Sequence, residues 1–548
     1  MPLGILEPGH GRDVRGTVVL DDLAANTGVD IGLDVSVLKH GSGKYSHIIL
    51  NPQPSDDPND PLNWAQTKKY TTITTILLAG ILSAAVAGPL LSAGTVVIAA
   101  DLHVPISAIS LLTGESLLVS GCWSIAVSIL SRIYGKRSQY LFATLMSVVA
   151  TIICIASFSS GSYSTLRAGR LVTGLAASAF ESIAFVTIVD LFFTHERGTW
   201  ISGVIIVLTG ISNLSPLIAG QITNNLGWHW NLYIYLIFAV IVFLMVVFFA
   251  PETTFNSPRN AQITAQLNTE HNMDEKINAA HEEVPSITPS TAPVYKPKTY
   301  LQSLAPFSGT YTEPKRALVM LARLMLVLLN PATWFVVATQ SMITAFWVAI
   351  SFTLAQIYFP PPYLLNPSGV GYLFAGPFVG AILGCGIMFW LDDKIAMRLA
   401  RRNGGIYEPE FRLPAFMLAL ATAPLGYFLF GWSIGTEKGY VVGAALYGVA
   451  AIGVCVSNAA GSSYLSDAFP DIATEVFVWS SFSKNLLFYG FSNFINDWVT
   501  TSGAQTVFYT LGGISAAMIL TSVPMYIFGK KNRDMWSRWD LMAKYTPK

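Results

Sequence analysis

The chain has 548 residues, 52% hydrophobic and 12% charged, about half the charge content of an average soluble protein. Lysine plus arginine and aspartate plus glutamate both number 32, so the net charge points to no nucleic-acid partner. With a mean hydropathy of +0.51, this composition excludes an ordinary soluble globule.

Residues 1–65 are polar and rich in Gly, Asp and Pro. They carry no secretory signal, so the first apolar span is expected to serve as the insertion signal. At the end of this tail, residues 56–64 form a proline-punctuated turn. Trp64 with Lys68 and Lys69 is placed as an anchor at the lipid headgroups. Six apolar spans follow at 71–99, 107–130, 139–160, 166–190, 200–223 and 231–250, giving a bundle over 66–250. Each is about the length a helix needs to cross a bilayer. Residues 251–331 are a linker. Within it, 255–300 is polar and rich in Ser, Thr and Pro, as a disordered segment is. The short apolar stretch 315–329 predicts an interfacial helix stopping at Asn330-Pro331. Six more spans lie at 332–358, 369–391, 413–433, 440–465, 473–496 and 505–528, giving a second bundle over 332–528, with a tail at 529–548. Every span mixes Gly, Ala, Ser or Thr among its large residues, which predicts close helix packing. The fold class is therefore an all-α membrane protein of twelve helices in two six-helix bundles, the layout of a transporter whose repeated halves rock about a central site.

Basic residues set the orientation. Loops on one side hold Lys68, Lys69, Arg132, Lys136, Arg137, Arg197, Lys394, Arg398, Arg401, Arg402, Lys530, Lys531 and Arg533. The other side holds little beyond Lys438. Both termini and the linker are therefore placed in the cytoplasm of a multi-pass protein. The one Asn-x-Ser/Thr sequon, at Asn213, falls inside a span. Cys122, Cys154, Cys385 and Cys455 lie in four different apolar runs and read as small packing residues, with no metal-type spacing.

Charges inside spans are functional candidates, because each costs several kcal/mol in lipid. Glu115 in the second span reads equally as an entrance residue or a structural partner. In the fourth span, Arg170 and Glu181 are eleven residues apart, about 16 Å along a helix and on one face. Thr173, Gly174, Ala177 and Ser178 share that face. One reading has Glu181 take up a proton and Arg170 tune it, since desolvation favours the neutral form of a carboxyl. The other is a static ion pair or hydrogen bonds to carbonyls. Lys484, beside Asn485 in the eleventh span, either balances a buried carboxylate or faces a cavity and touches cargo. Gln340, Thr344, Trp347 and Ser351 in the seventh span recur at offsets of four, seven and eleven, one helical face. They suit an organic ligand of mixed polarity, or hydrogen bonds between helices. No phosphate-binding Gly-rich loop with Lys, metal cluster or nucleophile elbow is visible. An enzyme is thus not expected, and uphill transport would draw on an ion gradient, with no cofactor.

At this point the motifs resemble the major facilitator superfamily, specifically the fungal twelve-span drug:proton antiporters and their polyamine-transporter-like relatives, over roughly residues 45–540. Arg170-Leu171-Val172-Thr173-Gly174 resembles the fourth-span signature, whose arginine the resemblance implicates in proton coupling. Asn213-Leu214-Ser215-Pro216-Leu217-Ile218-Ala219-Gly220 resembles the fifth-span antiporter signature. Pro251-Glu252-Thr253 resembles the motif closing the sixth span, and His195-Glu196-Arg197-Gly198 the loop after the fourth. The segment 404–413 resembles a loop common in fungal members, and 57–64 their pre-span segment. In Ser131-Arg132-Ile133-Tyr134-Gly135-Lys136-Arg137, Arg132 stands where the family usually has an acidic residue thought to clasp the opposite half, so that cytoplasmic latch is expected to be weaker or differently built here. Ser215 and Ala219 replace glycines of the antiporter pattern. The resemblance implies a monomeric, proton-coupled plasma-membrane exporter of drugs, toxins or secondary metabolites. Its coupling residues would be Glu115, Arg170 and Glu181, its cargo cavity Asn213, Gln340, Thr344, Trp347, Lys484 and Asn485, and its contacts small organic substrates and lipid. Its moving parts would be Gly135, Lys136, Arg137, Gly174, Arg197, Gly198, Pro216, Pro251, Glu252 and Thr253. Uptake of a cationic nutrient such as a polyamine and a non-transporting sensor are the alternatives.

Overall fold

The computed structural model describes residues 2–8, 14, 16–19, 54–55, 57–193, 200, 203–204, 206, 210–255, 297, 299–307, 309–311, 316–404, 406–470 and 472–539. Arg197 and Gly198, most of the polar linker and most of the N-terminal tail lie outside them.

Among the described residues, ten helices are long and apolar enough to cross a membrane. In the first bundle they are Gln66–Asp101, Ile106–Tyr134, Lys136–Ser159, Tyr163–Ile188 and His229–Phe249. In the second they are Pro331–Tyr358, Pro367–Arg402, Pro409–Gly435, Tyr440–Ala468 and Ala504–Trp539. Two of the twelve expected spans are not among the ten, for different reasons. The fifth is described chiefly in one part, Leu214–Leu226. The eleventh, Ala473–Ser502, has 30 residues, but Ser480, Ser481, Lys484, Asn485, Ser492 and Asn496 dilute its hydropathy. A helix of that composition is suited to a protein-facing position, and it packs against the second span of the other half.

Each half has its own apolar core. Inside the first half, a Cβ at Gly174 would come 2.2 Å from the Ser116 carbonyl oxygen, so the fourth and second spans meet through backbone there. The first span is not a continuous α-helix. A π-helical turn at Ile81–Val86 leads into a 3-10 turn at Pro89–Gly94, as expected where Pro89 brings no N–H.

Several ends differ from expectation. The eighth helix runs on to Arg402 and the last to Trp539, so Lys394, Arg398, Arg401, Lys530 and Arg533 extend helices rather than sit in loops. The interfacial stretch is an α-helix at Ala317–Leu326 and a 3-10 turn to Leu329. It is held against the eleventh span by the Trp479 indole, which donates to the Leu324 carbonyl at 2.6 Å. The Asn330-Pro331 break is a helix start. Pro331 occupies the first turn, and the Asn330 side chain caps the Ala332 N–H. Lys68 stacks over Trp64 at 3.8 Å. Lys69 is not the expected headgroup anchor, for it is 1% exposed and donates to the Leu62 carbonyl. Near the N-terminus, Val18–Val19 pairs antiparallel with Ile406–Tyr407, docking the tail on the second half.

Candidate functional site

The fourth span carries two charges that point in different directions. Arg170, 2% exposed, turns to the broken first span. It donates to the Ala87 carbonyl at 2.6 Å, the Gly88 carbonyl at 2.8 Å and Thr113 Oγ1 at 3.3 Å. Both carbonyls lie where the π winding gives way to the 3-10 turn, so the guanidinium ties the fourth span to the irregular part of the first. No carboxylate pairs with it among the described residues. Arg170 and Glu181 are therefore not brought together.

Glu181 faces the opposite half. Its Oε2 accepts from Asn485 Nδ2 at 3.0 Å, Ser481 Oγ at 3.1 Å and Lys484 Nζ at 3.3 Å. The offsets of three and four put Ser481, Lys484 and Asn485 on one face of the eleventh span. The fourth span is also broken at Ile183, and its continuation Ala184–Leu191 brings Phe185 over Phe477, ring centroids 6.2 Å apart. One carboxylate thus receives three donors from the other half, within a mostly buried setting.

Glu115 is committed within its own half. It takes a two-pronged ion pair from Arg167, with Nε to Oε2 at 2.7 Å. Arg167 was not singled out from sequence, because a basic residue at a span end looks like part of a loop. The signal was there, since a lone carboxylate in a span needs a cation at the same depth.

At the end of the bundle bearing the basic loops, Arg132 meets Glu475 of the other half at 3.1 Å, and Arg323 of the linker helix approaches the same oxygen at 3.6 Å. Nearby, the Gly135–Arg137 and Pro251–Thr253 motifs form one knot. Glu252 accepts from the Lys136 and Arg137 backbone N–H groups at the start of the third span, at 3.0 and 3.1 Å. Arg137 donates to the Val246, Val247 and Ala250 carbonyls ending the sixth span, and to Leu304 and Ala305 beyond it. A carboxylate at a helix start and a guanidinium at a helix end both oppose the helix dipole favourably. Lys136 pairs with Asp190, and Thr253 is buried.

The seventh-span stripe is mostly engaged inside the second half. Gln340 donates to the Asn458 carbonyl and Ser462 Oγ, both at 3.0 Å, and accepts from Ser480 at 3.0 Å. Asn458 donates to Thr344 at 3.1 Å. Ser351 returns to its own Val348 carbonyl. Of the stripe, the Trp347 indole N–H alone is buried with no partner among the described residues. Asn213 is buried at the start of the described part of the fifth span, and Pro216 is buried one turn further on.

Residues 75–487 match the Major Facilitator Superfamily. An uncharacterised MFS-type transporter of Schizosaccharomyces pombe is 27% identical over 99% of this chain and 96% of its own length. Protein HOL1 of Saccharomyces cerevisiae is 25% identical over 91% and 92%. Among solved structures, the proton:xylose symporter XylE bound to 6-bromo-6-deoxy-D-glucose superposes with a TM-score of 0.56 at 13% identity, covering 86% of this chain and all of that one. The human organic anion transporter MFSD10 gives 0.51 at 15% identity, covering 83% and 99%. At such identities the structural likeness concerns the fold.

Proposed function

The chain belongs to the major facilitator superfamily, and from that premise we propose that this secondary transporter, which is not an enzyme, is proton-coupled and exports small organic compounds such as drugs, toxins or secondary metabolites by alternating access. The observation that carries the reading is the meeting of Glu181 with Ser481, Lys484 and Asn485 across the two halves. Protonating Glu181 would remove its attraction for Lys484 and convert an acceptor oxygen into a donor. The contact between the halves would weaken with the proton that enters. Export rests on the resemblance of 213–220 to the antiporter signature. A plasma-membrane location and a monomer belong to the same proposal, as do cytoplasmic termini, which the basic-loop bias supports.

Uptake of a cationic nutrient is the second reading, and the same carboxylate favours it. A cargo ammonium could replace Lys484 on Glu181. Glu115 offers no help, being already paired with Arg167.

The test uses purified protein in liposomes with an imposed proton gradient and candidate organic compounds. Gradient-driven flux that collapses in Glu181→Gln supports the proposal. Wild-type flux in that variant would remove Glu181 from the coupling. Inward flux of polyamines alone would favour the second reading.

A further inference from the structure

A cavity of about 320 Å³ lies at the basic-loop end; Ser182 and Ile183, just beyond Glu181, are on its wall, but neither Glu181 nor Lys484 lines it. Its size falls at the low end of the roughly 300–1,000 Å³ of small-ligand pockets. Its wall comes from three parts of the chain. Arg132 and Lys136 come from the second and third spans, Arg316 and Arg323 flank and belong to the linker helix, and Thr474 begins the eleventh span.

The charges do not balance. Lys136 is neutralised by Asp190. Arg132 and Arg323 share a single carboxylate, Glu475, through the same oxygen. Among the described residues, Arg316 has no ion pair and Asp190 is the only carboxylate on the wall. Four cations therefore face two carboxylates. Two residues of the wall also keep a buried polar atom without a partner among the described residues, Arg323 Nε and Thr254 Oγ1. Buried polar atoms in native proteins are rarely left so. A positive surplus beside unsatisfied donors, in a space open to a small molecule, is the chemistry of an anion site.

We propose that this cavity binds a phosphomonoester. The ligand carries about −1.5 to −2 charges near neutral pH, close to the local surplus, and three acceptor oxygens. Arginine forks match its oxygens, and its near-double charge and third oxygen favour it over a carboxylate, which carries one charge and two oxygens. Because the wall joins the first half, the linker helix and the eleventh span, an occupied site would hold these three parts together and favour the arrangement seen here. The phosphomonoester could be a lipid headgroup, since basic pockets between membrane helices take such groups, or a soluble molecule.

The experiment uses the full chain in phosphatidylcholine nanodiscs and reads its melting temperature. One arm adds phosphatidic acid to the bilayer, a second adds glycerol 3-phosphate to the buffer, and a third adds phosphatidylserine to match the surface charge of the first. The site predicts a rise of at least ~2 °C with a phosphomonoester probe. The rise should disappear in Arg316→Gln, which breaks no ion pair, and largely persist in Arg316→Lys. A rise with phosphatidic acid alone assigns a lipid headgroup, and a rise with both phosphomonoesters assigns a soluble one as well. No rise with either, an equal rise with phosphatidylserine, or a rise undiminished in Arg316→Gln would overturn the proposal.

Discussion

Glu181 on the fourth span and Lys484 on the eleventh meet across the boundary between the two halves at 3.3 Å, and the lysine's other neighbour is the ring of Phe488 at 5.8 Å. Removing one partner of a mostly buried pair leaves the other uncompensated, which costs more than losing both. In the coupling proposed here, Glu181→Gln and Lys484→Gln should each lower gradient-driven flux in liposomes by about 10-fold, equivalent to roughly 1.4 kcal/mol in the transport step. The double variant should be no worse than either single one. Additive losses would show that the two residues act separately.

Arg132 and Glu475 form a charged link between the halves at the basic-loop end. The resemblance leads one to expect an acidic residue at position 132, and the structure puts the acid on the eleventh span instead. Here an arginine makes the contact with the opposite half, and the acid is its partner. Arg132→Glu should weaken this end by like-charge repulsion, increasing labelling by a membrane-impermeant thiol reagent at a cysteine introduced at Ser128 on the cavity wall. Arg132→Glu combined with Glu475→Arg should restore much of the protection. Arg323, which also approaches Glu475, would then oppose the new arginine, so the rescue should be partial. Full insensitivity to Arg132→Glu would show that the pair is dispensable for closure.

The helices were largely legible from sequence and their partners were not. Lipid forces each span to satisfy its backbone internally, so hydropathy runs mark helices directly. Even the polar eleventh span shows as a run between two breaks. Who meets whom depends on the third dimension. Glu181 and Lys484 are 303 residues apart in sequence, and no periodicity connects them. Helical spacing puts Arg170 and Glu181 on one stripe, yet Arg170 donates to the Ala87 and Gly88 carbonyls of the irregular first span, which no spacing within the fourth span shows. Arg167, Glu475 and Arg323 went unnoticed because charges near span ends resemble ordinary loop charges. The Gln340–Thr344 stripe was visible as a pattern, but only the positions of Asn458, Ser462 and Ser480 show how much of it is used between helices.

Gly135 should tolerate no side chain. Its φ is +90°, a conformation that L-residues rarely adopt, and a Cβ would come 2.3 Å from Glu252 Oε2. Gly161 also has a positive φ, +55°, but a Cβ there would meet nothing within 4 Å. Backbone strain of about 1–3 kcal/mol attends both alanine variants and is the larger at Gly135, whose φ/ψ of 90°/163° is glycine territory, whereas Gly161 at 55°/22° is left-handed helical. Only Gly135→Ala should also displace Glu252 from the start of the third span. It should therefore lower the melting temperature clearly more than Gly161→Ala. Equal effects would mean that the Glu252 contact contributes little.

The docked tail should come loose in acid. Burial opposes ionisation of Glu408, but Lys530, Arg533 and Thr17 outweigh it and hold the carboxyl below its ordinary value of 4.5. Lys530 lies at 2.6 Å, Arg533 at 2.7 Å and Thr17 at 2.8 Å, with the buried Glu410 beside them on the same arginine. A carboxyl depressed by folding contributes stability that is complete above 4.5 and is lost as pH falls through the lower folded value. Thr17 neighbours the Val18–Val19 strand that pairs with Ile406–Tyr407, so loss of the carboxylate should release that strand first. Amide hydrogen exchange at residues 16–19 and 406–407, corrected for the intrinsic effect of pH, should show steady protection from neutrality down to about 4.5 and declining protection below it. Glu408→Gln should reduce protection at neutral pH and flatten the dependence. A profile unchanged by Glu408→Gln would place the acid sensitivity elsewhere in the cluster, with Glu410 the next group to replace.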